Sequence, residues 1–182
     1  ALGLNQLAWA LQLLDQLDEA EVLYRDAIEV QRSVDRGESH PKLAVYLTNL
    51  AFVLYQTDRI EEAIASGREA LELQRELLGP DHPEVAGGAA TLAYWYMQQG
   101  QYAEAAALLD DAIRIRRATL GPGHPRVASA MILKAGVQVA TEQFEEGRLT
   151  AAEARGLLAE SLPADHWLIA AAANAQGAAL AG

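Results

Sequence analysis

The chain has 182 residues, a formal net charge of −11 and 51% hydrophobic residues, with only 6% aromatic residues and no cysteine. The charge argues against a nucleic-acid partner, because affinity for phosphates comes mainly from lysine and arginine, and the lack of cysteine excludes disulfides and thiolate metal sites. There is no signal peptide and no apolar stretch of about twenty residues, so we expect a cytoplasmic protein without a membrane partner. The chain begins, at Ala1-Leu2-Gly3-Leu4, inside an apolar pattern without a start methionine, so we expect it to be a piece of a longer protein.

A repeat runs through the whole chain. The dipeptide His-Pro recurs 42 residues apart, at His40, His82 and His124, and His166 continues the series with Trp167 in place of proline. The pair Glu-Ala recurs at nearly the same interval, at residues 19–20, 62–63 and 104–105. Such a period indicates units that cannot bury their apolar faces alone and therefore share one core with their neighbours.

Each unit divides into two helices. From Leu43 to Leu54, leucines and an alanine recur at three- and four-residue spacing, the period of a helix that buries one stripe. A turn at residues 56–59 separates it from a second helix over Ile60 to Leu78, which Gly79-Pro80 ends. Proline suits the first turn of a helix, so we expect helices to begin near Pro41, Pro83 and Pro125.

Extended along the chain, this pattern predicts an all-α fold, an α-solenoid of antiparallel helix pairs with about nine helices and no strand. We expect a single domain over residues 1–182. Its repeats are expected at about 1–40, 41–82, 83–124 and 125–164, followed by a closing helix at 165–181.

The four histidines do not indicate a metal site. They lie in successive units, which stack about 10 Å apart, whereas zinc requires all its ligands about 2 Å from one ion. We interpret them as helix caps. The sequence also lacks metalloprotease, phosphate-loop, dinucleotide-binding and nucleophile-elbow motifs. We therefore expect a protein that is not an enzyme and has no catalytic residues, metal or cofactor.

The repeated marks resemble the tetratricopeptide repeat (TPR). In the second unit they are Leu50-Ala51, Leu54, Ala63 and Ala70. Ala63 follows Ala51 by 12 positions and Ala70 follows Ala63 by 7, as in the ordinary repeat of about 34 residues. The added length falls in the second helix and in the Leu-Gly-Pro-x-His-Pro connection, which is similar to the repeats of kinesin light chains and many bacterial TPR proteins. HEAT-type repeats, of similar length, are the alternative. The fourth unit departs from the pattern at Lys134, Gln138 and Gly147.

The resemblance implies a right-handed superhelix whose first helices line a concave groove. Trp9, Phe52 and Tyr94 occupy the same position on three first helices, so we expect an aromatic ladder there, because Leu7 and Leu11 already fill the stripe that the core needs. The core is the alternative place for these aromatics. At Gly136, the fourth ladder position, either the groove ends or a ligand backbone approaches closely. The other residues expected to line the groove are Asn5, Gln6, Gln12, Thr48, Asn49, Tyr55, Gln56, Thr91, Met97 and Gln98.

The leading hypothesis is a non-catalytic scaffold that binds a peptide or a partner helix in this groove. Asn5 and Asn49 lack the lysines of the carboxylate-clamp TPR domains, and the acidic charge disfavours the acidic tryptophan-containing peptides that kinesin light chains prefer. We therefore expect a neutral, apolar or basic protein segment as partner. Two alternatives remain: self-assembly through the terminal repeats, including the alanine-rich last helix, and a regulatory role within a larger signalling protein.

Overall fold

The structure, a computed structural model, describes residues 1–35, 40–163 and 165–181. These residues form nine α-helices and no strand. The all-α fold and the helix starts at Pro41, Pro83 and Pro125 are confirmed, whereas the expected repeat boundary at residue 164 lies outside the described residues. The helices are α1 (Leu2–Leu13), α2 (Leu17–Asp35), α3 (Pro41–Gln56), α4 (Ile60–Leu78), α5 (Pro83–Gln98), α6 (Tyr102–Leu120), α7 (Pro125–Ala140), α8 (Phe144–Ser161) and α9 (Trp167–Ala181).

The helices group into two compact units, Ala1–Gly88 and Ala89–Gly182. In the first unit α1 packs on α2, and α3 packs on both α2 and α4. In the second unit α7 packs on α6 and α8, and α9 packs on α7 and α8. Within each unit, these helices that are adjacent in sequence are therefore neighbours in space, as short connections require.

Alanines mark the close contacts between helices. Small side chains let two helix backbones approach. The repeat alanines without any exposed surface are Ala8, Ala20, Ala27, Ala51, Ala63, Ala93, Ala105, Ala112, Ala135 and Ala154. Gly147 replaces this alanine in the fourth repeat, where a Cβ would lie 3.1 Å from Cγ2 of Val139 and 3.3 Å from the carbonyl oxygen of Ala135. Gly147 therefore departs from the pattern where α8 approaches α7 closely.

The histidines of the His-Pro marks cap the helices that follow them. In each case Nδ1 accepts a hydrogen bond from the backbone N–H two residues later, at 3.1–3.2 Å. The intervening residue needs no such bond when it is proline, which has no N–H. The interpretation of His40, His82, His124 and His166 as caps is confirmed.

One prediction about the core is wrong. Leu7 is 53% exposed, whereas Leu50 and Leu92, which hold the same position in the next two repeats, are 3% and 2% exposed. The difference follows from position in the array. Within the described residues, α3 has a preceding second helix, α2, packed beside it, whereas α1 is the first helix and has none.

Glycine is required where α4 and α6 end. Gly79 and Gly121 both adopt φ 87° and ψ 154°, a conformation that is essentially restricted to glycine. Gly123, two residues after Gly121, has no positive φ and no neighbouring atom within 4 Å of a built Cβ.

We predict that Gly121→Ala lowers the free energy of unfolding by about 1–3 kcal/mol, because a side chain strains this backbone conformation. The matched Gly123→Ala variant should change it by less than about 0.5 kcal/mol. Urea unfolding followed by circular dichroism measures the free energy of unfolding of both variants. Equal midpoints for the two variants would contradict the requirement for glycine at position 121.

Candidate functional site

Two amide–amide hydrogen bonds join the first helices of the first unit. Nδ2 of Asn49 donates to Oδ1 of Asn5 at 3.0 Å, and Nε2 of Gln12 donates to Oε1 of Gln56 at 2.7 Å. Both bonds join residues 44 positions apart, so α1 and α3 lie side by side in one register. The two bonds are seven residues apart along each helix, which places them on the same face, two turns from each other.

A buried tyrosine holds one of these amides in a fixed orientation. Tyr24 on α2 has no exposed surface, and its hydroxyl donates to Oε1 of Gln12 at 3.0 Å. Burial raises the pKa of Tyr24 to about 12, so the hydroxyl stays protonated and remains a donor at neutral pH. Because Oε1 of Gln12 accepts this bond, Nε2 is left to donate to Gln56. This role could not be predicted from the sequence, because Tyr24 lies on a second helix and reaches Gln12 only through the packing of α2 on α1.

Two aromatic side chains lie on the same surface. Trp9 and Phe52 are 56% and 40% exposed, and helical spacing places each of them between the two amides of its own helix. We call this surface the α1–α3 face. It consists of Asn5, Trp9, Gln12, Asn49, Phe52 and Gln56.

The other predicted groove residues of the first unit also reach the surface. Gln6 is exposed, whereas Thr48 and Tyr55 are half-buried. The hydroxyl of Thr48 donates to the carbonyl oxygen of Ala44 at 2.8 Å. Its donor is therefore engaged within α3, and Thr48 contributes mainly an acceptor and a methyl group.

In the second unit, α5 presents the remaining predicted residues. Tyr94 is 37% exposed, Gln98 is exposed, and Thr91 and Met97 are half-buried. Cε of Met97 would lie 3.3 Å from a Cβ at Gly136. The methionine thus covers the ladder position of α7, and a ligand backbone could approach Gly136 closely only if Met97 moved.

The described ranges contain neither a metal-binding cluster nor a membrane-spanning helix. No group of three or more His, Cys, Asp or Glu residues there could hold a metal ion. No described helix has the length and apolar character needed to cross a membrane.

Sequence profiles of the tetratricopeptide repeat match two parts of the chain. One matches residues 1–76 and 42–86, and another matches residues 85–126. The matches together cover more than half of the chain. The chain belongs to the tetratricopeptide repeat family. None of the curated proteins compared with the chain is similar enough to count as a relative.

Solved structures of TPR proteins share this fold. A Podosopora anserina protein described as a kinesin light chain with nearly identical TPR-like repeats has a TM-score of 0.82 and 23% identity, over 98% of this chain and 84% of its own. BtubC (BKLC) from P. vanneervenii has a TM-score of 0.77 and 19% identity, over 98% and 74%. RapI in its apo form has a TM-score of 0.72 and 14% identity, over 87% of this chain and 55% of its own. These likenesses confirm an all-α repeat fold similar to kinesin light chain repeats.

We predict that Phe52→Ala lowers the free energy of unfolding by about 1 kcal/mol, because much of this side chain is already in water. Leu54→Ala, two residues later on the same helix and without exposed surface, should lower it by about 2–5 kcal/mol. Thermal and urea unfolding of both variants tests the difference. An equally large loss of unfolding free energy in Phe52→Ala would place the aromatic ladder of Trp9, Phe52 and Tyr94 in the core.

Proposed function

We propose that this TPR scaffold binds an extended segment of a partner protein on its α1–α3 face. The observation that carries the proposal is the combination of exposed aromatic side chains with two pairs of hydrogen-bonded amides. Aromatic side chains are enriched at the centre of protein interfaces and among the few residues that carry most of the binding energy, and surrounding polar groups fix the orientation. The face offers both kinds of group within two turns of each helix.

The amide pairs suit a peptide backbone. Each pair uses only part of its hydrogen-bonding capacity, since an Asn or Gln amide has two donor hydrogens and an acceptor oxygen. Nδ2 of Asn5 and Oδ1 of Asn49 are not used in their mutual bond. The pairs lie seven residues apart, about 10 Å along a helix, which is the length of about three residues of extended chain. One extended peptide can therefore bond both pairs.

The helices that carry the face favour an apolar segment. α1 has no charged residue, and Lys42 is the one charged residue of α3. A charged side chain placed between the amide pairs would lose water without gaining an opposite charge. The net charge of −11 also favours the approach of basic partners. The expected ligand is thus an apolar segment, for contact with Trp9 and Phe52, with basic residues on either side.

A second candidate function is self-assembly through α9. This helix has no charged residue, and both Trp167 and Leu180 are 69% exposed. Light scattering over a range of concentrations tests this candidate, because Trp167→Glu should lower the average mass if α9 joins two copies. A mass that stays at one chain at every concentration would exclude it.

We predict that peptides selected from a random library on the wild-type chain lose about 2 kcal/mol of binding free energy, or roughly thirtyfold in affinity, on Trp9→Ala and on Phe52→Ala. Val22→Ala, an exposed apolar position on α2, is the matched control and should bind as the wild type does. Calorimetric titration measures these affinities. If basic residues flank the apolar segment, the affinity should fall as the salt concentration rises. Peptides that bind all variants equally would show that the α1–α3 face is not the site.

A further inference from the structure

A stretch without acidic residues runs through the second unit. Residues 112–141 contain no Asp or Glu, although the whole chain has 25 of them, and they contain five of its 14 lysines and arginines. Three of these five residues form ion pairs with carboxylates of the same unit, and the pairs are Arg114–Asp111, Arg117–Glu153 and Lys134–Asp110. The remaining two basic residues of the stretch are Arg116 and Arg126.

Arg116 and Arg126 meet where α6 passes the start of α7. Nη1 of Arg116 donates a hydrogen bond to the backbone carbonyl oxygen of Arg126 at 2.8 Å. Arg116 is half-buried and Arg126 is exposed. Within residues 1–35, 40–163 and 165–181, neither arginine forms an ion pair with a carboxylate. The guanidinium of Arg116 thus has a neutral carbonyl group as its partner and no counter-charge.

The surroundings of Arg116 disfavour its positive charge. Burial, and after it the like charge of Arg126, lowers the pKa of Arg116, but an arginine side chain stays protonated in proteins. Arg126 lies in the first turn of α7, which contains no acidic residue, and the dipole of a helix adds positive potential at this end. An anion bound between the two arginines would therefore relieve a repulsion that no described side chain offsets.

The preceding repeats do not have this pair of arginines. At the position of Arg116 they have glutamine, and at the position of Arg126 they have first lysine and then glutamate; these residues are Gln31, Gln74, Lys42 and Glu84. The same helices form in those repeats. Helix packing therefore accepts an uncharged residue at the first position and either charge at the second, and it does not require two arginines.

We propose that Arg116 and Arg126 together bind a phosphate group. A phosphate monoester carries a charge of about −1.5 to −2 at pH 7, which matches two guanidinium groups better than the single charge of a carboxylate does. Arg116 has five N–H donors in a planar fork that suits phosphate oxygens, and its bond to Arg126 uses one of the two nitrogens at the end of that fork. Free phosphate and a phosphorylated side chain both present this group. The α1–α3 face belongs to the first unit, so the arginine pair is a second binding site.

Calorimetric titration of the whole chain near neutral pH tests the site with two probes, inorganic phosphate and N-acetyl-phosphoserine amide. The ionic strength is held constant, because added salt screens charges. We expect both probes to bind the wild type, and Arg116→Gln and Arg126→Gln each to weaken binding by at least about tenfold through the loss of charge-assisted hydrogen bonds. Circular dichroism checks that both variants stay helical. Tighter binding of the phosphoserine amide identifies a phosphorylated side chain as the ligand, and tighter binding of inorganic phosphate identifies the free anion.

Two further variants separate this site from a general attraction of anions. Arg155→Gln removes an exposed arginine of α8 in the same unit, and it should bind both probes as the wild type does. Arg126→Glu places a carboxylate beside Arg116, so it should abolish phosphate binding and raise the midpoint of urea unfolding.

The proposal is overturned if neither probe binds the wild type, or if Arg116→Gln and Arg126→Gln both bind with wild-type affinity. It is also overturned if Arg155→Gln weakens binding as much as they do, because the attraction is then not local. A lower midpoint of urea unfolding in Arg126→Glu would contradict it as well, since an anion beside Arg116 would then not stabilise the fold.

Discussion

The close approach of helices at alanine positions is the constraint on which the rest of this structure depends. Ala51 on α3 and Ala63 on α4 have no exposed surface, and no larger residue could occupy such a contact without moving one helix. Because buried alanines recur every 42 or 43 residues, we expect the same close contact in each helix pair. The register of α1 against α3, and hence both amide bonds of the α1–α3 face, follows from this repetition.

Because the sequence repeats, residues at equivalent positions of different repeats can have different structural roles. Leucine at the position of Leu50 is a core residue when a second helix lies over it, but Leu7 at the same position is exposed. The acidic residues behave likewise: Glu62 and Glu69 bond arginines of α2, whereas Glu19 and Asp26 lie at the first helix pair. Burial and pairing at a repeat position are therefore properties of the neighbour as much as of the residue.

This dependence on neighbouring helices explains which features of the structure could be predicted from the sequence. Helix boundaries depend on local signals such as the caps at His82 and His124, and the second helix of the second repeat was predicted with the observed bounds, Ile60–Leu78. The surface position of Phe52 followed from helical periodicity. The hydrogen bonds between side-chain amides could not be predicted. They join residues 44 positions apart, one or two more than the repeat length, and depend on the side-chain conformations at the contact between the two helices. The position of Met97 over Gly136 depends on a flexible side chain and left no mark in the sequence.

The most direct test of the central constraint replaces an alanine at a helix contact and compares it with an exposed alanine of the same helix. Ala63 has no exposed surface, whereas Ala65, two residues later on α4, is exposed. Urea unfolding should show that Ala63→Leu lowers the free energy of unfolding by about 1–3 kcal/mol through overpacking, while Ala65→Leu changes it by less than about 0.5 kcal/mol. Equal free energies of unfolding for the two variants would contradict the assignment of Ala63 to a close helix contact.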